Sequence, residues 1–428
     1  MLWFHGGALQ SGSISQFDGS SLAANGDVIV VTAQYRLGVF GFPGNVSGLP
    51  ADELNPGFRD QKAALQWIQD NIASFGGDKT RVTIFGESAG AVSVDSQLLS
   101  EVDKPLFHAA ILQSGGLHTF NRVALGVGVY VTGLGTGNKQ DETPFTTLAR
   151  ALNCVTGSAL NLTCVKSQTA AKIKSAVQSV NLLFPPVDDN GQSSVGDSDA
   201  ARRSGRTAKV PVLIGSTFQE GIILPQSAIT ARSLAQWAQL IYPSNTTLQN
   251  AITRAYAVGT SWQIQNEADA SKLLHSDFQF ACTTTYDSDM ISDLGIRTWT
   301  RAKEVITEHG LTLPHTATWR YVFNASLPGG GLAGHGSDVG FVFGSQAQST
   351  TANQQLSYKV QTAWASFAKN PTAGPGWPRY SRSTPLSLAD LGGQGARDSI
   401  TMIDPQVVDS RCSVFSDAYD PNRAKSAS

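Results

Sequence analysis

The chain has 428 residues, of which 41% are hydrophobic and 15% charged, with a net charge of −2. This is long for one ordinary domain and short for three, although large α/β folds reach such a length as a unit, and the composition is that of a globular enzyme. There is no basic stripe and no run of like charges, so neither nucleic acid nor an electrostatically bound membrane surface is suggested as a partner.

In chain order, Leu2–Phe4 and Val28–Thr32 are continuous apolar runs, as expected of parallel strands covered on both faces. Positions 60–75 carry Leu65, Ile68, Ile72 and Phe75 at helical spacing, and Gly76-Gly77 ends the helix. A short strand at Val82–Phe85 runs into Gly86-Glu87-Ser88-Ala89-Gly90, followed by a helical stretch and another strand at Ala109–Gln113. This alternation implies an α/β fold with a mostly parallel, twisted central sheet and helices on both faces. Positions 126–181 read as excursions above that sheet, and Val210–Gly215 as a further buried strand. Positions 225–315 are mainly helical, Trp319–Phe323 is a strand, and Pro328–Gly336 is rich in glycine. Leu356–Lys369 is a late amphipathic helix, and the remainder is polar and turn-rich. The longest apolar stretches are strand-sized, so no segment can span a bilayer. No internal repeat or dividing linker is evident.

Gly86-Glu87-Ser88-Ala89-Gly90 fits G-x-S-x-G between a strand and a helix, the nucleophile turn of the α/β-hydrolase fold. The turn exposes the serine hydroxyl at the C-terminal edge of the sheet, and side chains at the flanking glycines would strike neighbouring backbone. The helix N-terminus favours negative charge developing nearby. A serine hydroxyl needs a base, and this fold orders its triad as nucleophile, acid, histidine. Of seven histidines, His335 stands on a late glycine-rich loop after a strand, which makes it the expected base. His5 and His108 lie beside strands, while His118, His275, His309 and His315 have polar or helical surroundings. Glu220, just after the strand at Val210–Gly215, is the expected acid. Asp188 and Asp189 compete with it, although their Phe184-Pro-Pro-Val-Asp-Asp turn gives aspartates a structural reason to be there. His5-Gly6-Gly7-Ala8 has the form of a lipase/esterase oxyanion loop, and the N–H of Ala89 supplies a further donor.

The four cysteines form no Cys-x-x-Cys pattern and have no neighbouring histidines, which favours disulfides over a metal site. Asn45, Asn161, Asn245 and Asn324 head Asn-x-Ser/Thr sequons, so an oxidising, secretory compartment is expected. Met1 is followed directly by strand-like sequence with no signal peptide, and an N-terminally incomplete chain is the expectation.

Many segments together resemble the type-B carboxylesterases, the family of cholinesterases, fungal lipases and bile-salt-activated lipases. They are Trp3-Phe-His-Gly-Gly7, Asp27-Val-Ile-Val-Val-Thr32, Tyr35-Arg-Leu-Gly-Val-Phe-Gly-Phe42, Asn55-Pro-Gly57, Asp60-Gln61 and Ala73-Ser-Phe-Gly-Gly-Asp78. Further on come the segments from Arg81 to Gly90, Ala110 to Gly115, His335 to Asp338, Phe341 to Gly344, and Trp377 to Tyr380. The resemblance implies one α/β-hydrolase domain over 1–428, with helical excursions over the active site and without the family's N-terminal strands. It implies a triad of Ser88, Glu220 and His335, an oxyanion hole of Gly7, Ala8 and Ala89, and a polar network of Glu87, Ser114 and Asp338 beside the triad. Disulfides Cys154–Cys164 and Cys282–Cys412 and a secreted location are implied as well.

The expected activity is hydrolysis of carboxylic esters through an acyl-enzyme, by a short- to medium-chain esterase or a lipase acting on small-molecule or lipid esters. No metal or organic cofactor is called for. Ala8 departs from the third glycine usual in relatives. The alternative is a catalytically inactive, cholinesterase-like adhesion or storage protein, but such relatives usually lose the serine or the histidine, and this chain keeps all three triad residues.

Overall fold

The structure, a computed structural model, describes residues 1–117, 143–157, 159–180, 182–223, 232–261, 263–292, 316–325, 333–345, 350–381, 384–393 and 395–415. The elements that position the site are β1 (Leu2–Phe4), β2 (Val31–Ala33), α1 (Pro56–Asn71), β3 (Thr83–Glu87), α2 (Ala89–Ser100) and β4 (Ala109–Gln113). They continue with α3 (Ser198–Arg203), β5 (Val212–Thr217), α4 (Glu267–Ser276), α5 (Cys282–Ile291) and β6 (Thr318–Phe323). The last are α6 (Thr351–Lys369), β7 (Leu388–Leu391) and β8 (Ile400–Ile403).

One eight-stranded sheet has the order β8-β7-β6-β5-β4-β3-β1-β2. Every neighbouring pair is parallel except β8 with β7. Side chains alternate between two buried faces, as the strand period requires. Trp3, Phe85, Ile111, Leu213 and Trp319 join Leu356, Val360, Trp364 and Phe367 of α6 on one face. Leu2, Phe4, Ile84, Leu112, Val212 and Ile214 meet Leu65 and Ile68 of α1 and Ala91, Val94 and Leu98 of α2 on the other. This two-sided cover is why the strands read as unbroken apolar runs, and each large side chain so buried contributes about 1.5–3 kcal/mol.

Two expectations are corrected. The run Val28–Thr32 yields only β2 at Val31–Ala33, and all three residues are half-buried because β2 is the edge strand. The C-terminal stretch read as turns contains the antiparallel pair β7–β8, which extends the opposite edge. The helix at 60–75 begins earlier, at Pro56, and closes through a 3₁₀ turn at Ile72–Phe75. Gly76 ends it with φ 79°, as its glycines predict. The helical reading of 225–315 is met at α4 and α5. Positions 118–142 and 293–315 lie outside the described residues. Among the described residues no helix is long and apolar enough to cross a membrane.

Candidate active site

Ser88 caps the junction of β3 and α2 with φ 57° and ψ −121°, a backbone state that costs a non-glycine residue energy and is held by its surroundings. Three glycines make the turn possible. A Cβ on Gly86 would lie 2.5 Å from the Gly90 carbonyl, one on Gly90 would meet the Phe4 carbonyl, and one on Gly115 would lie 2.5 Å from the Ser88 oxygen. The Ser88 N–H donates to the Gln113 carbonyl at 2.9 Å, which fastens the turn to the end of β4.

Glu220 follows β5, and His335 lies on the connection after β6, so both reach the same C-terminal edge of the sheet as Ser88. His335 Nδ1 is 2.6 Å from Glu220 Oε2, while Glu220 Oε1 accepts the Thr217 N–H at 2.7 Å. The Gln219 N–H donates to the Ala333 carbonyl at 3.1 Å, so the acid turn and the histidine loop are also stitched through backbone. With its proton on Nδ1 toward the carboxylate, the imidazole keeps Nε2 as its basic atom.

That basic atom faces Glu87 Oε1 at 3.2 Å, off the line of a hydrogen bond. Among the described residues the Ser88 hydroxyl makes no hydrogen bond. Hydrogen bonds between a serine and a general base are often long or misaligned until substrate is bound. Burial alone would lower the imidazole pKa, but Glu87, Glu220 and Asp338 outweigh it and raise it to about 9. Burial pushes the Glu87 carboxyl up to about 7, against the attraction of His335.

The expected oxyanion loop has consecutive left-handed residues, with φ 110° at Gly7, 56° at Ala8 and 60° at Leu9. The N–H groups of Gly7, Ala8 and Ala89 find no acceptor among the described residues. The loop is fixed from below: the Tyr35 hydroxyl donates to the His5 carbonyl at 2.6 Å and its ring stacks on the His5 imidazole at 4.5 Å. Gln10 Nε2 donates to the Ala8 and Phe184 carbonyls at 3.3 and 3.0 Å. Neither Tyr35 nor Gln10 was given this role in the sequence, although Tyr35 lies in one of the segments resembling the family.

Of the three residues expected beside the triad, Asp338 accepts from the Tyr321 hydroxyl at 2.8 Å and Gln113 Nε2 at 2.9 Å. Among the described residues the Ser114 hydroxyl and Glu87 Oε1 are buried without a hydrogen-bond partner, so no hydrogen bond joins the three. The competing aspartates serve their turn: Asp189 accepts from the backbone N–H groups of Ser193 and Ser194, and Asp188 from that of Asn190. Among the other histidines, His5 is packed under the loop. His108 Nδ1 accepts the Val82 N–H at 3.3 Å. His275 is buried against Trp237, with its pKa pushed down to about 4 by desolvation. His118, His309 and His315 lie outside the described residues. Both implied disulfides, Cys154–Cys164 and Cys282–Cys412, are present.

Residues 1–400 match the model of the carboxylesterase family. The chain belongs to the carboxylesterase family. It is 32% identical over 407 residues to the para-nitrobenzyl esterase of Bacillus subtilis (strain 168), covering 91% of this chain and 74% of that protein. It is 33% identical over 418 residues to the cocaine esterase of Oryctolagus cuniculus, covering 93% and 73%. A solved PNB esterase structure superposes with a TM-score of 0.69 at 25% identity, over 97% of this chain and 81% of that one. This carboxylesterase is therefore a carboxylic ester hydrolase with the α/β-hydrolase fold, and ester hydrolysis is the chemistry its site must perform.

Proposed function

We propose that the carboxylesterase works through a Ser88–His335–Glu220 triad and an acyl-enzyme, on small carboxylic esters of short to medium acyl length. Ser88 Oγ attacks the ester carbonyl while His335 Nε2 takes its proton. The tetrahedral intermediate collapses as the same proton passes to the leaving alcohol. Water then repeats the sequence on the acyl-enzyme and frees the acid. Glu220 holds the imidazole and offsets the charge it acquires, and the N–H groups of Gly7, Ala8 and Ala89 receive the oxyanion. The reading rests above all on the 2.6 Å pairing of His335 Nδ1 with Glu220 Oε2 at the sheet edge that carries Ser88 in its strained turn.

Ser88→Ala tests it. Turnover of p-nitrophenyl esters should fall by at least about a thousandfold while the thermal midpoint stays within about 2 °C of the parent. Activity near the parent level would overturn the assignment. A series of acyl chain lengths then separates an esterase, fastest on short soluble esters, from a lipase that gains rate on long chains. We further propose that the protein is secreted and glycosylated, in keeping with its two disulfides and with exposed Asn45, Asn161 and Asn245.

A further inference from the structure

Helices α4 and α5 are one rod interrupted by a π-turn at Asp277–Ala281. A π-turn inserts one residue into the helix and is frequently found at functional positions. Here its two sides have different company. On one side, Ser276 Oγ accepts the Glu220 N–H at 2.9 Å, and the Phe280 ring lies 4.6 Å from the His335 ring, tilted by 53°. On the other side, Asp277 Oδ2 accepts from Arg411 Nε at 2.7 Å and from the Tyr256 hydroxyl at 2.8 Å. The next residue after the turn, Cys282, is bonded to Cys412, the neighbour of Arg411. The acid's own turn packs tightly on this rod, since a Cβ on Gly221 would lie 2.6 Å from the Lys272 carbonyl.

We propose that Ser276 and Phe280 are positioning residues for the Glu220–His335 pair, and that the C-terminal segment braces them through Arg411 and the Cys282–Cys412 disulfide. This rests on the triad reading above. Ser276 fixes the backbone from which the Glu220 carboxylate projects, so its loss lets the carboxylate drift from Nδ1. Phe280 offers the edge or face of its ring to the imidazole, which favours the imidazolium formed during attack. Neither side chain exchanges a proton with substrate. A fault in either one should therefore appear in the rate of the chemical step and in the Nδ1 hydrogen bond.

The test is the far-downfield proton resonance of His335 Nδ1–H in the folded protein, read beside steady-state kinetics. His335→Gln, which must abolish the resonance, assigns it. Ser276→Ala should move the resonance upfield or broaden it and lower kcat about tenfold, with KM changed less than about twofold. Ser276→Thr, which keeps the hydroxyl, should restore both. Phe280→Leu should lower kcat about three- to tenfold. A Ser276→Ala protein with the parent resonance and parent kcat would overturn the proposal. If that variant does not fold, Phe280→Leu decides alone: the proposal falls if both its resonance and its kcat match the parent. The resonance does not depend on ester turnover, so it still reports on Ser276 if Ser88→Ala shows the nucleophile assignment to be wrong.

Discussion

Nε2 of His335 lies 3.2 Å from Oε1 of Glu87, the residue directly before the proposed nucleophile. The imidazole is thus held between two carboxylates, Glu220 at Nδ1 and Glu87 at Nε2, with Asp338 as a third negative neighbour. Both flanking glycines permit this closeness. A Cβ on Gly6 would lie 2.8 Å from one Glu87 oxygen, and one on Gly336 would lie 3.3 Å from the other.

The first prediction concerns pH. A general base must be neutral to accept the serine proton, and negative neighbours favour the protonated imidazole. With the His335 pKa raised to about 9, activity should climb with pH well above the range of an ordinary histidine. Glu87→Gln removes one of the charges that raise it, so the ascending limb of kcat/KM should move to lower pH by about one unit or more. An unmoved limb, measured on a soluble ester, would show that Glu87 does not set the basicity of His335.

The second concerns the proposed oxyanion loop. Ala8 has φ 56°, a left-handed state that costs an L-residue about 1–2 kcal/mol, whereas glycine adopts it freely. Glycine also gives the unfolded chain more freedom, worth about 0.5–1 kcal/mol in the opposite direction. Ala8→Gly should therefore stabilise the fold by roughly 0.5–1 kcal/mol, while Ala8→Val should destabilise it. Denaturant unfolding reads both, and a destabilised glycine variant would mean that the methyl group packs usefully.

The third concerns the rear of α2, the helix that follows Ser88. Asp95 of α2 is fully buried, accepts the Leu117 N–H at 2.8 Å and pairs with Arg202 of α3. Arg202 Nη1 also lies 3.4 Å from Asp287 of α5, so one guanidinium ties three helices together. Arg202→Leu would leave two buried carboxylates facing each other and should cost about 3–5 kcal/mol. In the double variant Asp95→Asn, Arg202→Leu, the loss should be smaller than the sum of the two single losses. Strict additivity in unfolding free energy would deny the coupling.

How much of this was readable beforehand follows from where each signal resides. β3, β4, β5 and β6 were visible because both faces are buried and apolar residues dominate each run. β7 and β8 escaped notice. They have only four residues each, Leu388-Ala-Asp-Leu391 and Ile400-Thr-Met-Ile403, and polar residues interrupt both apolar patterns. The turn at Ser88 announced itself through glycine neighbours that its backbone requires, and chain order pointed to Glu220 and His335, which the structure pairs. Ser276 and Phe280 carried no such mark. Their placement depends on the extra residue of a π-turn, which is set by packing between α4, α5 and the C-terminal segment and leaves no periodic trace. Arg202 carried no signal in the sequence, because the two aspartates it meets are 107 and 85 positions away in the chain.

The bond between Cys282 and Cys412 spans 130 residues of sequence. At translation rates of about 5–20 residues per second, Cys282 emerges on the order of ten seconds before its partner is made. By then Cys154 and Cys164 have already been synthesised, and a thiol-oxidising compartment would have to keep three cysteines from pairing wrongly until the fourth arrives. Every residue of the proposed triad is made before Cys412, but the brace behind Glu220 and His335 closes only once Cys412 has been made. A ribosome-bound chain stopped after His335 would thus carry all three groups and still lack the clasp that holds two of them in register.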